Sequence, residues 1–208
     1  MRSRLAAAAV VLIAVAMLVT SGIGRAGERA PTTSLPVKEA VEKMKQSKAP
    51  KGAIGLVRFY GEVLDGKSVE FYFNDFSNAG RANEQLAGVI GKASCAKLDE
   101  AKLKTASALF TEFGDAFPVE LRGYVLGQQG KADQAAPLLL KALEQMQPLD
   151  RCVFGHPDDA GEQMGRISTW AGCFTVLVPK PSKADAKKLE AIQSKAFQCM
   201  AETAGTVG

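Results

Sequence analysis

Pro118-Val-Glu-Leu-Arg-Gly-Tyr-Val-Leu-Gly-Gln-Gln-Gly130, followed by Lys131-Ala-Asp-Gln-Ala-Ala-Pro-Leu-Leu-Leu-Lys-Ala-Leu-Glu-Gln-Met-Gln-Pro148, decides the fold. Pro118 suits the first turn of a helix that runs to Gly130, and Asp133 suits the cap of a second. Ala135, Leu139, Ala142 and Leu143 recur at helical spacing until Pro148 stops the pattern. The connection between the two helices is only a few residues long, which forces them to run antiparallel. The same period extends upstream. From Asn78, Ala82, Leu86, Val89, Ile90 and Ala93 line one helix; after Asp99-Glu100, Leu103, Ala106, Phe110 and Phe113 line the next.

Self-comparison at a shift of 34 residues matches Ala82 with Ala116, Lys97 with Lys131, Asp99 with Asp133, Ala101 with Ala135, Ala108 with Ala142 and Leu109 with Leu143. A 34-residue period with two helices per unit is the signature of tetratricopeptide repeats. Residues 116–149 resemble that family through Gly123-Tyr-Val-Leu-Gly-Gln-Gln-Gly130, Ala135, Lys141-Ala-Leu143 and Pro148; residues 82–115 resemble it more distantly, with Val89 and Ala96 in place of the two glycines. The resemblance implies that the first helix of each pair lines a groove that takes an extended peptide or a partner helix. Glu120, Tyr124 and Gln128 form an i, i+4, i+8 stripe on that helix, with Asn83 as the counterpart in the preceding unit; these are the candidate partner-binding residues. Two units need capping elements to bury their outer faces.

The flanks are read as those caps. Before the helices, Ser34 is placed to cap a helix with Val37, Ala40, Val41 and Met44 inward, stopped by Ala49-Pro50. Val57, Phe59, Gly61 and Val63 then alternate with polar or larger residues, as do Val69, Phe71 and Phe73 after Asp65-Gly66, which predicts a β-hairpin; a helix over 54–64 is the competing reading. After the repeat, Asp158, Asp159 and Glu162 open a helix carrying Met164, Ile167, Trp170 and Phe174, beside a track of small residues at Gly161, Gly165, Ser168 and Gly172. Ser182 and Asp185 outline a capping box for a last helix with Leu189, Ile192, Ala196, Cys199 and Met200 inward. The expected fold is therefore mainly α: antiparallel helical hairpins with an N-terminal β-hairpin and a C-terminal helical pair. The domain plan is a leader at 1–26, a flexible lead at 27–34, helix plus hairpin at 35–76, the repeat-like helices at 77–149 and a cap at 150–208, with 27–208 forming one compact domain.

The leader is an address. Met1-Arg-Ser-Arg4 precedes the apolar run Leu5 to Val19 and the small-residue exit Gly24-Arg-Ala-Gly27, the pattern of a secretory signal peptide cut after Ala26. Retained instead, Leu5 to Gly24 is just long enough to anchor the chain in a membrane. Its three arginines account for most of the net charge of +4; beyond Ala26, 23 basic side chains stand against 22 acidic ones, a net of +1. That near-neutral balance argues against nucleic acid as a partner. Export makes an even set of four cysteines read as two disulfides. Three connectivities are possible. The up-down layout puts Cys95 and Cys173 at one end of the bundle and Cys152 and Cys199 at the other, which favours those two pairs without excluding the others.

Function reads best as protein–protein interaction in the cell envelope or periplasm, through a scaffold or accessory module with a protein partner. The alternative is a small ligand held by the hairpin's aromatic face, Phe59, Phe71 and Phe73. A third reading uses His156, Asp158 and Glu162 for metal-dependent or hydrolytic chemistry, but acidic residues there also complement the helix dipole, and His156 is the only histidine. Neither an HExxH motif nor a phosphate-binding loop is present, so the reading is of a non-enzyme without a cofactor or metal.

Overall fold

The computed structural model describes residues 32–93, 95–146 and 157–205. The leader, residues 27–31, Cys152 and His156 lie outside these, as do the side chains of Asp158, Asp159 and Glu162. The described residues belong to one compact unit. It is mainly α with a small two-stranded antiparallel sheet near its start. In chain order the elements are β1 (Thr32–Pro36), α1 (Val37–Gln46), α2 (Lys51–Glu62), β2 (Ser68–Tyr72), α3 (Ala82–Ala93), α4 (Glu100–Phe113), α5 (Val119–Gln128), α6 (Ala132–Met146), α7 (Pro157–Leu177) and α8 (Lys183–Gly205). A single 3-10 turn, Gly114–Ala116, joins α4 to α5.

The N-terminal part departs from expectation. Residues 57–63 are not a strand. They form the second half of α2 and the residue that ends it, with Leu56, Val57, Phe59 and Val63 buried, so the predicted β-hairpin does not exist. Leu56, Phe59 and Val63 recur at i, i+3 and i+7, a helical stripe that the alternation concealed. Gly61 decides the opposite face: a Cβ there would lie 2.4 Å from Val37 Cγ1, so only glycine lets α1 and α2 approach this closely. The strand partner of β2 is β1, in the register Thr32↔Tyr72, Ser34↔Glu70 and Pro36↔Ser68. Residues 32–34 are therefore strand rather than flexible lead, and Ser34 caps nothing; α1 begins after Pro36 without a side-chain cap. Gly80, at φ +56°, passes so close to the Glu70 carbonyl that a Cβ would stand 1.8 Å from its oxygen. Arg81 N–H donates to that same carbonyl and ties the end of the sheet to the start of α3.

From α3 onward the helices fall where the periodicity places them. The Asp99 side chain caps α4 by accepting the Lys102 N–H at 2.8 Å. Asp133 lies in the first turn of α6 rather than at its cap. Ser182 and Asp185 form the expected capping box, with the Asp185 N–H donating to Ser182 Oγ at 3.1 Å and the Ser182 hydroxyl to Asp185 Oδ2 at 2.7 Å.

Packing among these helices follows a different plan from the one expected. α5 and α6 make the most extensive helix contact in the chain, with Gly123 seated against Leu139 and Ala135, Ala136, Ala142 and Leu143 buried. α3 and α4, by contrast, make next to no contact with each other: α3 leans on α7 and α2, and α4 on α2 and α5. The hairpin beside α5–α6 is instead α7–α8. α7 packs on α6 and α5, and α8 on α7 and α6. Gly127 of α5 touches Leu177 of α7, Glu120 and Arg166 share a cleft nearer the other ends of the same helices, and Lys188 of α8 pairs with Glu144 of α6 at 3.0 Å. These contacts join residues separated by 44 to 50 positions; from Glu120–Arg166 to Gly127–Leu177 the chain advances along both α5 and α7, and short turns reverse it into α6 and α8. α7 thus runs parallel to α5, and α8 parallel to α6.

Candidate functional site

The predicted stripe on α5 is not a free surface. Tyr124 is only 2% exposed and meets the Phe59 ring edge-on at 6.0 Å. Its hydroxyl reaches the Ala96 carbonyl at 3.4 Å, long for an O–H donor, and burial pushes its pKa up to about 12. Gln128 is used at both ends of its amide: Nε2 donates to the Ala96 carbonyl at 3.1 Å, and Oε1 accepts the Leu98 N–H at 3.1 Å. These two candidate partner-binding residues therefore hold the chain's own α3–α4 connector. Asn83 is exposed on α3, a helix that stands against α7 and α2, so it is not the counterpart of Glu120 in a neighbouring unit.

A disulfide fixes the same connector. Cys95, at φ +54°, bonds to Cys173 of α7 with the Cα atoms 5.2 Å apart, as the up-down layout predicts. Cys199 is buried and disulfide-bonded, and its expected partner, Cys152, lies outside the described residues. Beside the connector, Val63, Leu64, Val89, Ile90, Leu98 and Tyr124 line a cleft of about 290 Å³, with Lys97, Asp99 and Lys102 among its other lining residues. Lys102 is paired with Asp65, which raises its pKa.

The aromatic face expected of a hairpin is dispersed. Phe59 is in the core against Phe117 and Tyr124; Phe71 is buried against Phe76; Phe73 is 71% exposed, at φ +51°. Between α1 and α2 runs a wider groove of about 460 Å³, floored by Val37, Val41 and Gly61 and edged by Lys38, Glu42, Lys45, Arg58 and Glu62. Arg58 is committed to structure there. It donates to Glu62 at 2.6 and 3.1 Å and to Glu112 at 2.6 and 2.8 Å, and it covers the Phe113 ring at 5.8 Å. The hydrogen bond to Glu62 is the largest cause of its raised pKa.

Glu120 is the member of the stripe that meets a different environment. It lines a cleft of about 200 Å³ with Ala142, Gln145, Met146 and Arg166. Burial is the first cause raising its carboxyl pKa, only partly offset by the hydrogen bond from its own backbone and by the charge of Arg166. No ion pair joins the two side chains, and Arg166 Nε is buried without a hydrogen-bond partner. Periodicity marked Met164 and Ile167 on either side of Arg166 but carried no sign that Arg166 would face Glu120, 46 residues away on another helix. Among the described residues, no three His, Cys, Asp or Glu side chains are grouped to hold a metal ion, and no helix is long and apolar enough to cross a membrane.

No protein-family model, curated protein or solved structure matches the chain.

Proposed function

We propose that the protein is an exported interaction module of the cell envelope, with α5–α6 and α7–α8 as two tetratricopeptide-like units stacked in parallel register. One observation carries this reading. α7 already receives a helix, the chain's own α3, and the connector that follows it is tied to α7 by the Cys95–Cys173 bond and to α5 by the Gln128 clamp on residues 96–98. In the family that 116–149 resembles, the first helix of each pair lines the face that binds a partner segment. The array is one unit downstream of the position that the 34-residue period suggests, and its upper groove is filled from within the chain. The surface left for a partner is the exposed side of α7, where Gly165 and Gly172 have open space at the Cβ position and Val176 is 53% exposed.

Export rests on the leader pattern and agrees with a buried disulfide between α3 and α7. A protein partner is tested by crosslinking a tagged chain in its native envelope, with a photoreactive residue at position 172. The expected result is a discrete protein adduct that is absent when the photoreactive residue is placed at position 190, on the exposed side of α8. Adducts of equal yield at both positions would end the interaction reading.

A further inference from the structure

The cleft between α5, α6 and α7 holds two opposite charges, Glu120 and Arg166, that do not pair with each other. Glu120 approaches from the first turn of α5 and Arg166 from the middle of α7, while Ala142, Gln145 and Met146 of α6 complete the lining. A stabilising ion pair would close to within 4 Å; these two side chains do not. Arg166 Nε is instead left buried and unbonded, although a desolvated guanidinium N–H is among the costliest groups to leave without an acceptor. The Nε of Arg122 on α5 is likewise buried without a partner, but that guanidinium is paired with Asp115 at 2.5 Å through Nη1, whereas Arg166 and Glu120 stay apart. Opposite charges that share a small cleft without pairing with each other are placed as a binding site places them, at a cost to the empty protein.

The ligand that relieves both groups has an anionic acceptor for Arg166 and a cationic donor for Glu120, set close together. The Gln145 amide offers a further donor or acceptor, and Ala142 with Met146 gives an apolar wall. We propose that this cleft binds a free α-amino acid with a small apolar side chain, its carboxylate on the Arg166 guanidinium, its ammonium on the Glu120 carboxylate and its side chain against Ala142 and Met146. The volume of about 200 Å³ suits a molecule of that size. The site does not depend on the partner-binding reading, since neither charged group belongs to the exposed α7 surface around Gly172.

The test is calorimetric titration of the full mature chain with L-valine, alongside two analogues that each lack one charge, isobutyrate and isobutylamine. Valine is expected to bind saturably in the micromolar to millimolar range, and each analogue at least about tenfold more weakly. Arg166→Gln and Glu120→Gln are each expected to weaken valine binding by about tenfold or more. Glu120→Gln is also expected to raise the melting temperature of the unliganded protein, whereas removal of one member of a structural ion pair would lower it. The wild-type comparison of valine with its analogues needs no variant to fold. No saturable heat with valine, equal binding of isobutyrate and valine, unchanged valine binding by a folded Arg166→Gln, or a lower melting temperature for Glu120→Gln would each overturn the proposal.

Discussion

At the scale of single residues, glycines that look alike in the sequence have opposite duties. At Gly123 an added Cβ would stand 2.8 Å from Leu139 Cγ and 3.2 Å from the Leu139 backbone nitrogen. The backbone cannot yield as a side chain can, so Gly123→Ala must part α5 from α6. Overpacking of this kind costs about 1–3 kcal/mol, partly offset by the better helix propensity of alanine. Gly165 has nothing within 4 Å of its Cβ position and is exposed in the interior of α7. Gly165→Ala is therefore expected to stabilise the fold by up to about 1 kcal/mol. Thermal unfolding of the two variants should shift in opposite directions, by about 2–4 °C per kcal/mol for a domain of this size. Glu120 supplies a pH-dependent case. Burial raises its pKa above the ordinary 4.5, so folding favours the protonated form. Its favourable contribution is complete below the unfolded value and is lost as pH rises through the folded one. The gain in melting temperature from Glu120→Gln should consequently be present at neutral pH and shrink to nothing toward about pH 4, where wild type carries the neutral acid as well. A gain that is independent of pH would assign the effect to packing instead of charge.

Among the elements, the α3–α4 connector depends on one amide. Gln128 binds the exposed carbonyl of Ala96 and the half-buried N–H of Leu98, and Gln128→Ala removes both bonds at about 0.5–1.5 kcal/mol each. Tyr124→Phe gives up only a 3.4 Å contact and should cost far less. Amide exchange at Leu98 is the direct readout: accelerated in Gln128→Ala and close to wild type in Tyr124→Phe. The same elements explain what the sequence disclosed. The bounds of α3 to α6 follow from a strong 3.6-residue period punctuated by Asp99, Pro118 and Gly130, signals that act locally and need no knowledge of the partner. The α2 segment could not be decided in this way, because Phe59 and Val63 satisfy both periods; the close approach of Val37 to Gly61 resolved it, and that contact is tertiary. β1 was hidden for a similar reason. Thr32-Thr-Ser-Leu-Pro36 has no apolar alternation, and its pairing partner lies some 32 to 40 residues ahead. Of the candidate site, Glu120, Tyr124 and Gln128 all lie on α5, but they meet different surroundings. The use of Tyr124 and Gln128 in binding the chain's own connector, and the meeting of Glu120 with Arg166, depend on contacts between helices that no spacing within one helix records.

For the whole molecule, the parallel stacking of α5–α6 on α7–α8 explains why the 34-residue period points to the wrong neighbour. The repeat in sequence relates 82–115 to 116–149, whereas the repeat in space is offset by 44 to 50 residues and matches helices of unlike length, α7 exceeding α5 by more than two turns. The first two helices of the expected array are thereby free to do something else: α4 braces α2, and α3 crosses to α7, where Cys95–Cys173 fixes it. That bond spans 78 residues, so in the chain-entropy account it destabilises the unfolded state by about 4.5 kcal/mol. α3 also buries Ala82, Leu86 and Ile90, whose removal from water contributes several kcal/mol on its own. The two contributions act on different states, and this separates their effects. With Cys95 and Cys173 both changed to Ser, the urea midpoint should fall by the equivalent of about 2–4.5 kcal/mol while α3 stays docked in the native state. Trp170, the single tryptophan, reports the difference because it is buried on α7 one turn before Cys173. Its emission should remain that of a buried indole in the double variant without denaturant. A red shift there would mean that the disulfide, rather than the apolar face of α3, keeps the groove closed, and that reduction opens the α5–α7 surface to a partner.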